Sequence, residues 1–142
     1  MKNINFRVFN KNNKTMIPDN FIALSLDGEV SEVDMAGDCT WLGTARSEGK
    51  YELMLGSGLK DRNGVEIYEG DILNRSIFGN YVGTESYNMH VIFSKSYGGF
   101  YVGETPLFAE LFEGGAKDGF RYTFPEVVGN IYEQPHLLGG TV

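Results

Sequence analysis

The amino-acid sequence predicts a mainly β protein, a small barrel or sandwich of short strands, and three observations carry that prediction. Gly makes up 19 of 142 residues against four Pro, about twice ordinary Gly usage, which points to many tight turns. Ten Phe and eight Tyr supply side chains that pack well on a pleated surface. Short alternating runs recur between turn signals along the whole chain. Hydrophobic residues at 42% provide material for a core, and charged residues at 22% do not indicate disorder. A chain of this length fits one domain or two small subdomains sharing a core.

Ile4, Phe6 and Val8 alternate with Asn5, Arg7 and Phe9, the period of a strand with one buried face. The polar stretch from Asn10 to Lys14 turns the chain into Met16-Ile17, so the first two strands are expected to form a hairpin. Pro18-Asp19-Asn20 ends that pairing. Residues 21–26 and 29–33 flank Asp27-Gly28, the turn signal of a second hairpin. Residues 34–50 lack periodicity and contain Gly37, Gly43 and Gly49, so they read as a loop with Trp41-Leu42 as a hydrophobic plug. Residues 51–55 form a strand that enters a glycine-rich bend, Gly56-Ser57-Gly58. Asn63-Gly64 signals a turn of type I′, residues 65–68 resume extended structure, and Glu69-Gly70-Asp71 turns the chain into Ile72-Leu73.

Further on, residues 89–95 and 100–102 flank Ser96-Tyr97-Gly98-Gly99, a hairpin with a glycine-bearing loop. One short helix is expected near 106–113. Thr105 is placed to cap it, Pro106 suits its first position and Gly114-Gly115 stops it. Leu107, Phe108, Leu111 and Phe112 give this helix one broad apolar face. Residues 121–124 and 126–132 read as closing strands, the second interrupted at Gly129 by a bulge or bend.

Net charge is −7, and it is unevenly placed: Lys2, Arg7, Lys11 and Lys14 give +4 over residues 1–18, leaving −11 for the rest. That balance works against non-specific attraction to phosphate backbones. The short basic segment is expected to dock on the acidic body. The single cysteine, Cys39, cannot form a disulfide within the chain and fits a reducing compartment. No signal peptide is visible, and no apolar run is long enough to span a membrane, so a cytoplasmic location is expected.

The search for chemistry returns no catalytic, cofactor-binding or metal-binding constellation. Cys39, His90 and His136 are far apart and lack zinc-ligand spacing. No Ser or Cys carries a nucleophile signature, although a Cys39–His pair assembled by folding stays open. Gly56-Ser57-Gly58-Leu59-Lys60-Asp61 lacks the spacing of a phosphate loop and reads as a structural bend. Glu66, Glu69 and Asp71 cluster around Gly70. A cation or acid–base role is conceivable for them, but a solvated turn cluster is the commoner meaning. One stretch, Lys95-Ser96-Tyr97-Gly98-Gly99-Phe100-Tyr101, interleaves a base with aromatics, as nucleic-acid-binding barrels do, though a core hairpin is the simpler reading.

Three stretches together resemble the YopX family of bacteriophage and prophage proteins. The first is Ile4-Asn5-Phe6-Arg7-Val8-Phe9-Asn10 with Lys14-Thr15-Met16-Ile17. The second, the most specific, is Glu52-Leu53-Met54, then Gly58-Leu59-Lys60-Asp61-Arg62-Asn63-Gly64, then Glu66-Ile67-Tyr68-Glu69-Gly70-Asp71-Ile72. The third is Val127-Val128-Gly129-Asn130-Ile131-Tyr132-Glu133 with Pro135 and Leu137-Leu138. The chain departs from the family at Gly56-Ser57, where an aromatic and a Thr are usual, and residues 74–88 and 104–120 fall outside the resemblance. The resemblance implies an SH3-type β-barrel over residues 51–142 and a smaller N-terminal β-hairpin subdomain over residues 1–50. It implies a mobile-element origin and thus the cytoplasm of a bacterial host, and it brings no activity, cofactor or catalytic residue.

These readings leave three functional classes open. The leading one is a non-enzymatic accessory protein that binds another protein or self-assembles, since short strands leave edges for pairing. Its candidate interaction surface comprises Lys60, Asp61, Arg62, Lys95, Tyr97, Phe100 and Tyr101. The alternative is a small nucleic-acid-binding barrel using the basic N-terminal segment and the Tyr97–Tyr101 hairpin, disfavoured by the net charge. The third is an enzyme with an unrecognised Cys39 or carboxylate site.

Overall fold

The computed structural model of the chain describes residues 5–17, 22–24, 29–33, 39–44, 51–79, 83–112 and 120–138. The protein is mainly β, with two curled half-barrel sheets compatible with an SH3-type barrel, and one short α-helix among the described residues. It divides into two compact units, Met1–Gly56 and Ser57–Val142. The division falls inside a strand that begins at Tyr51.

In the first unit, β1 (Phe6–Asn10) pairs antiparallel with β2 (Thr15–Ile17), placing Val8 opposite Ile17, so the expected hairpin forms. Its turn is held by the Asn12 N–H, which donates to Asn10 Oδ1 at 2.9 Å. The other edge of β1 pairs with the first half of a long strand running Tyr51–Lys60, with Phe6 opposite Leu55 and Asn10 opposite Tyr51. Alternation along these strands puts Val8, Ile17 and Tyr51 on one face, where they form a buried cluster with Phe6 and Leu53 packed against it.

A separate three-stranded sheet joins β3 (Ile22–Leu24), β4 (Glu29–Val33) and β5 (Cys39–Thr44), all antiparallel. The second expected hairpin is present in its strands, while Asp27-Gly28 lies outside the described residues. The loop expected over residues 34–50 needs correction, because Cys39–Thr44 is a strand with Ser31 opposite Trp41. Its pairing depends on β4, and a bulge between Val30 and Ser31 adjusts the register. Local periodicity carries no trace of such a partner. The proposed plug at Trp41-Leu42 concerns side chains outside the described residues.

The strand from Tyr51 to Lys60, β6, does not stop at the glycines. It bends within itself: Gly58 adopts φ +77°, a conformation natural to glycine, and the Leu59 N–H donates to Ser57 Oγ at 3.1 Å. The expected bend between strands is thus a bend inside one. A tight turn leads from β6 to β7 (Glu66–Tyr68), with Gly64 N–H donating to Asp61 O at 3.1 Å and Asp61 N–H to Val65 O at 2.9 Å. Gly64 has φ +80° but Asn63 does not share the positive region, so this is not the expected type I′ turn. It is the wider hairpin form ending in a left-handed glycine. Asp61 dictates the difference, since its Oδ1 accepts the N–H of Asn63 at 2.8 Å and of Val65 at 2.9 Å.

The second unit is built on β8 (Asp71–Gly79) and β9 (Gly83–Ser94), an antiparallel pair with Leu73 opposite Met89 and Arg75 opposite Tyr87. Beyond β9 the sheet continues through β10 (Gly99–Val102) and β11 (Thr105–Pro106). The other edge of β8 takes β12 (Arg121–Tyr122) and β13 (Glu126–Asn130). Ile67, Leu73, Val91, Val102 and Leu107 form the buried core, with Leu59, Met89, Phe100, Leu111 and Val127 packed against it. The helix, α1, spans only Leu107–Glu110. Thr105 does not cap it, because its backbone is in the ladder opposite Val102. Pro106 occupies the cap position without a side-chain bond. Leu111 and Phe112 follow outside the helix, and Gly114-Gly115 lies outside the described residues.

The register of β13 shifts between Val127 and Gly129, the bulge expected from the sequence. A Cβ at Gly129 would lie 2.7 Å from Gln134 Oε1 and 3.1 Å from Leu137 Cδ1. Gln134 Oε1 already accepts the Asn130 N–H at 3.0 Å, so it cannot retreat without losing that bond. Gly129→Ala is expected to cost about 1–2 kcal/mol, measured as a lower urea midpoint at unchanged m.

Candidate functional site

The residues singled out from the sequence fall on two separate turns. Lys60, Asp61 and Arg62 lie where β6 enters β7, and Lys95, Tyr97, Phe100 and Tyr101 lie at the β9–β10 hairpin. Lys60 is exposed. Asp61 is buried at 5% exposure, and its carboxylate accepts three backbone N–H groups, those of Asn63, Val65 and Val127. It therefore builds the turn and presents nothing to a partner. Arg62 Nη2 lies 2.9 Å from Glu126 Oε2. Asp71, from the carboxylate cluster, is 1% exposed and accepts the Tyr68 N–H at 2.7 Å. Among the described residues, no group of three or more His, Cys, Asp or Glu stands together to hold a metal ion.

At the hairpin, strand alternation separates the aromatics into two sets. Phe100 pairs with Phe93, their rings edge to face at 5.3 Å, and packs against the core. Tyr101 pairs with Ile92 on the opposite face, and its ring lies 5.3 Å from that of Tyr97. Tyr97 stands at the turn with 76% of its surface exposed, next to exposed Lys95 and Ser96, and Ile92 is 37% exposed. This patch is aromatic, hydroxyl-bearing and held on a turn closed by the Gly98 N–H donating to Ser94 O at 2.8 Å.

Sequence reasoning missed a second feature, a cavity of about 330 Å³ lined by Arg75, Tyr87, Thr105, Glu110, Phe112 and Tyr122. Arg75 projects from β8 and is only 1% exposed. Its Nε donates to Thr123 O at 3.0 Å, Nη1 to Glu110 Oε2 at 2.7 Å and Nη2 to Phe112 O at 2.9 Å. The guanidinium carbon sits 3.7 Å from the Phe112 ring centroid and 5.0 Å from that of Tyr122. Those two rings meet edge to face at 5.6 Å, forming a corner around the cation. Burial pushes the pKa of the Tyr87 phenol up. The Arg75 charge pulls it back, Glu110 adds to the rise, and a hydrogen bond with Arg75 opposes it. Tyr87 is thus a neutral hydroxyl at the cavity wall at pH 7.

Arg75 and Tyr87 come from residues 74–88, and Thr105, Glu110 and Phe112 from residues 104–120. These are the two segments that fall outside the family resemblance, and the fold brings them together. Arg75 sits in Asn74-Arg75-Ser76, a polar run. A signal existed only in the apolar alternation around it, Leu73 to Ile77, which places Arg75 on the core face.

A family model described as YopX protein matches residues 5–139, nearly the whole chain. Among solved structures, the chain is similar to that of protein EF1440 from Enterococcus faecalis. The two share 25% identity with a TM-score of 0.60, over 96% of this chain and 98% of that one. A search of curated proteins gives no match. Among the described residues, no helix is long and apolar enough to cross a membrane.

Proposed function

The chain belongs to the YopX protein family, and from that premise we propose that it is a non-enzymatic accessory protein of bacteriophage or prophage origin. In this reading it works in the cytoplasm of the bacterial host by binding another protein through the β9–β10 hairpin. The observation that carries the reading is the Tyr97–Tyr101 pair, in which Tyr97 is exposed and Tyr101 half-buried beneath it. A tyrosine 76% exposed at a turn contributes nothing to the core, and tyrosine is among the residue types enriched at interface anchors. The acidic balance of −7 supports a protein partner over a phosphate backbone. The short outer strands β11 and β12 are further surfaces for self-assembly.

The test is capture of tagged protein from bacterial lysate with and without nuclease, comparing the native chain with Tyr97→Ala and Tyr101→Ala. A stoichiometric protein that survives nuclease and falls at least about tenfold with Tyr97→Ala is expected, since one interface anchor is worth about 2 kcal/mol. Material lost on nuclease treatment, and weakened by neutralising Lys60 and Lys95, would instead support the nucleic-acid reading. Light scattering of the purified protein reads self-assembly directly, because an oligomer through this hairpin becomes monomeric in Tyr97→Ala.

A further inference from the structure

We propose that Asn63 is a site of spontaneous deamidation, and that the turn built by Asp61 sets how fast it is converted. Asn63 is the one asparagine of the chain that precedes a glycine. Gly64 carries no Cβ to keep its nitrogen away from the Asn63 side chain, so the pair that closes the β6–β7 turn is also suited to react with itself. Both residues are exposed, and nothing lies within 4 Å of the place that a Gly64 Cβ would take, so water and base reach them.

In the reaction a base removes the Gly64 N–H proton, and the nitrogen lone pair attacks Asn63 Cγ. The Cγ–Nδ2 bond breaks, that nitrogen leaves as ammonia, and a cyclic imide remains. Water then opens the ring at either of its carbonyls, giving aspartate or isoaspartate. The net change is amide plus water to carboxylate plus ammonium, with no oxidant or reductant.

Hydrogen bonds of the closed turn oppose that step. The Gly64 N–H donates to Asp61 O at 3.1 Å, which engages the proton that must leave. The Asn63 N–H donates to Asp61 Oδ1 at 2.8 Å, which fixes the backbone on the other side of the reacting side chain. Asn63 Nδ2 donates to Glu126 Oε2 at 3.3 Å, which ties the leaving amide to β13. Conversion therefore proceeds from the fraction of molecules in which the turn is open, as hydrogen exchange and proteolysis do.

The product fits the closed turn less well than the asparagine. Aspartate at this position places a carboxylate where Nδ2 now donates to Glu126, and Arg62, 2.9 Å from the same Glu126 oxygen, is the cation left to share between them. Isoaspartate adds a methylene to the backbone, which puts the closing bonds of Gly64 and Val65 out of register. Since Asp61 also accepts the Val127 N–H, conversion loosens the fastening of the turn to β13.

The experiment is incubation of the whole chain in mildly alkaline buffer, native and unfolded in urea, with Asn63 followed by peptide mass mapping. The unfolded chain is expected to exchange the Asn63 amide for a carboxyl as a mixture of aspartate and isoaspartate, and the native chain to do so at least about tenfold more slowly. Asp61→Ala is expected to raise the rate in the folded protein about tenfold, by removing the carboxylate that holds the turn shut. Glu126→Ala, which leaves the Asp61 bonds in place and carries the comparison if Asp61→Ala does not fold, is expected to raise it about twofold. Circular dichroism reads the fold of both variants. The proposal is overturned if Asn63 stays unmodified in the unfolded chain, if native and unfolded chains convert at one rate, or if neither variant converts faster than the native chain.

Discussion

Replacing Arg75 with methionine is expected to lower the unfolding free energy by about 3–5 kcal/mol, far beyond the effect of an ordinary surface arginine. The guanidinium is 1% exposed and donates three hydrogen bonds, to Glu110, Thr123 and Phe112, which lie 35, 48 and 37 residues away in sequence. Methionine fills much of the volume but leaves a carboxylate and two carbonyls without their donor, and each unmet buried group costs about 1–3 kcal/mol. The ring corner of Phe112 and Tyr122 loses its cation as well. Arg75→Lys is expected to recover only part of the loss, because one ammonium cannot reach three acceptors spread around a planar fork. Adding Glu110→Met to Arg75→Met is expected to restore about 1–3 kcal/mol, since it removes the uncompensated charge. Urea denaturation of the two single variants and the double variant measures this coupling. A loss below about 1 kcal/mol in Arg75→Met would mean that water replaces the guanidinium at little cost. In the same variant the Tyr87 phenol is expected to titrate still higher, because both influences that Arg75 exerts on it pull downward. Absorbance titration of the tyrosines reads that shift.

What the sequence made legible follows from what is local. The β1–β2 hairpin, the β9–β10 hairpin and the Gly129 bulge each rest on a few consecutive residues whose alternation or turn chemistry is self-sufficient. The errors involve a partner outside the few residues that carry the signal. Cys39–Thr44 looks like a loop because nothing inside it alternates, yet β4 supplies its hydrogen bonds. Asn63-Gly64 has the letters of a type I′ turn, but the carboxylate of Asp61 two residues earlier takes the Asn63 N–H and selects another geometry. The cavity was the least legible feature. Its arginine sits among polar neighbours, and its partners arrive from a helix and a strand that close over β8 only in the folded chain. A buried ion pair has no signature in local composition. The hairpin patch shows the reverse case, because a tyrosine flanked by Ser and Gly at a turn is exposed for purely local reasons.

Asp61→Ala is expected to cost about 3–4 kcal/mol by undoing the turn that it builds. Oδ1 accepts the N–H groups of Asn63 and Val65, and Oδ2 accepts that of Val127 at 2.9 Å. The last bond spans 66 residues and fastens the β6–β7 turn to β13. Hydrogen bonds to an ionised acceptor are about twice as strong as neutral ones, and alanine leaves three donors facing no acceptor. Asp61→Asn separates charge from shape. Its remaining oxygen can serve Asn63 and Val65, but its amide nitrogen then faces the Val127 N–H donor to donor, so a loss of about 2–3 kcal/mol is expected. Arg62→Ala is the internal control. The Arg62–Glu126 pair bridges the same two elements, but Arg62 is 45% exposed at its side chain, and such pairs are worth under about 1 kcal/mol. Amide hydrogen exchange at Val65 and Val127 distinguishes the cause from general destabilisation. Loss of the carboxylate speeds exchange at these two amides more than at Val91 in the core, whereas a uniform acceleration would show that Asp61 merely contributes to global stability. Equal costs for Asp61→Ala and Arg62→Ala would overturn the assignment of Asp61 as the builder of this turn.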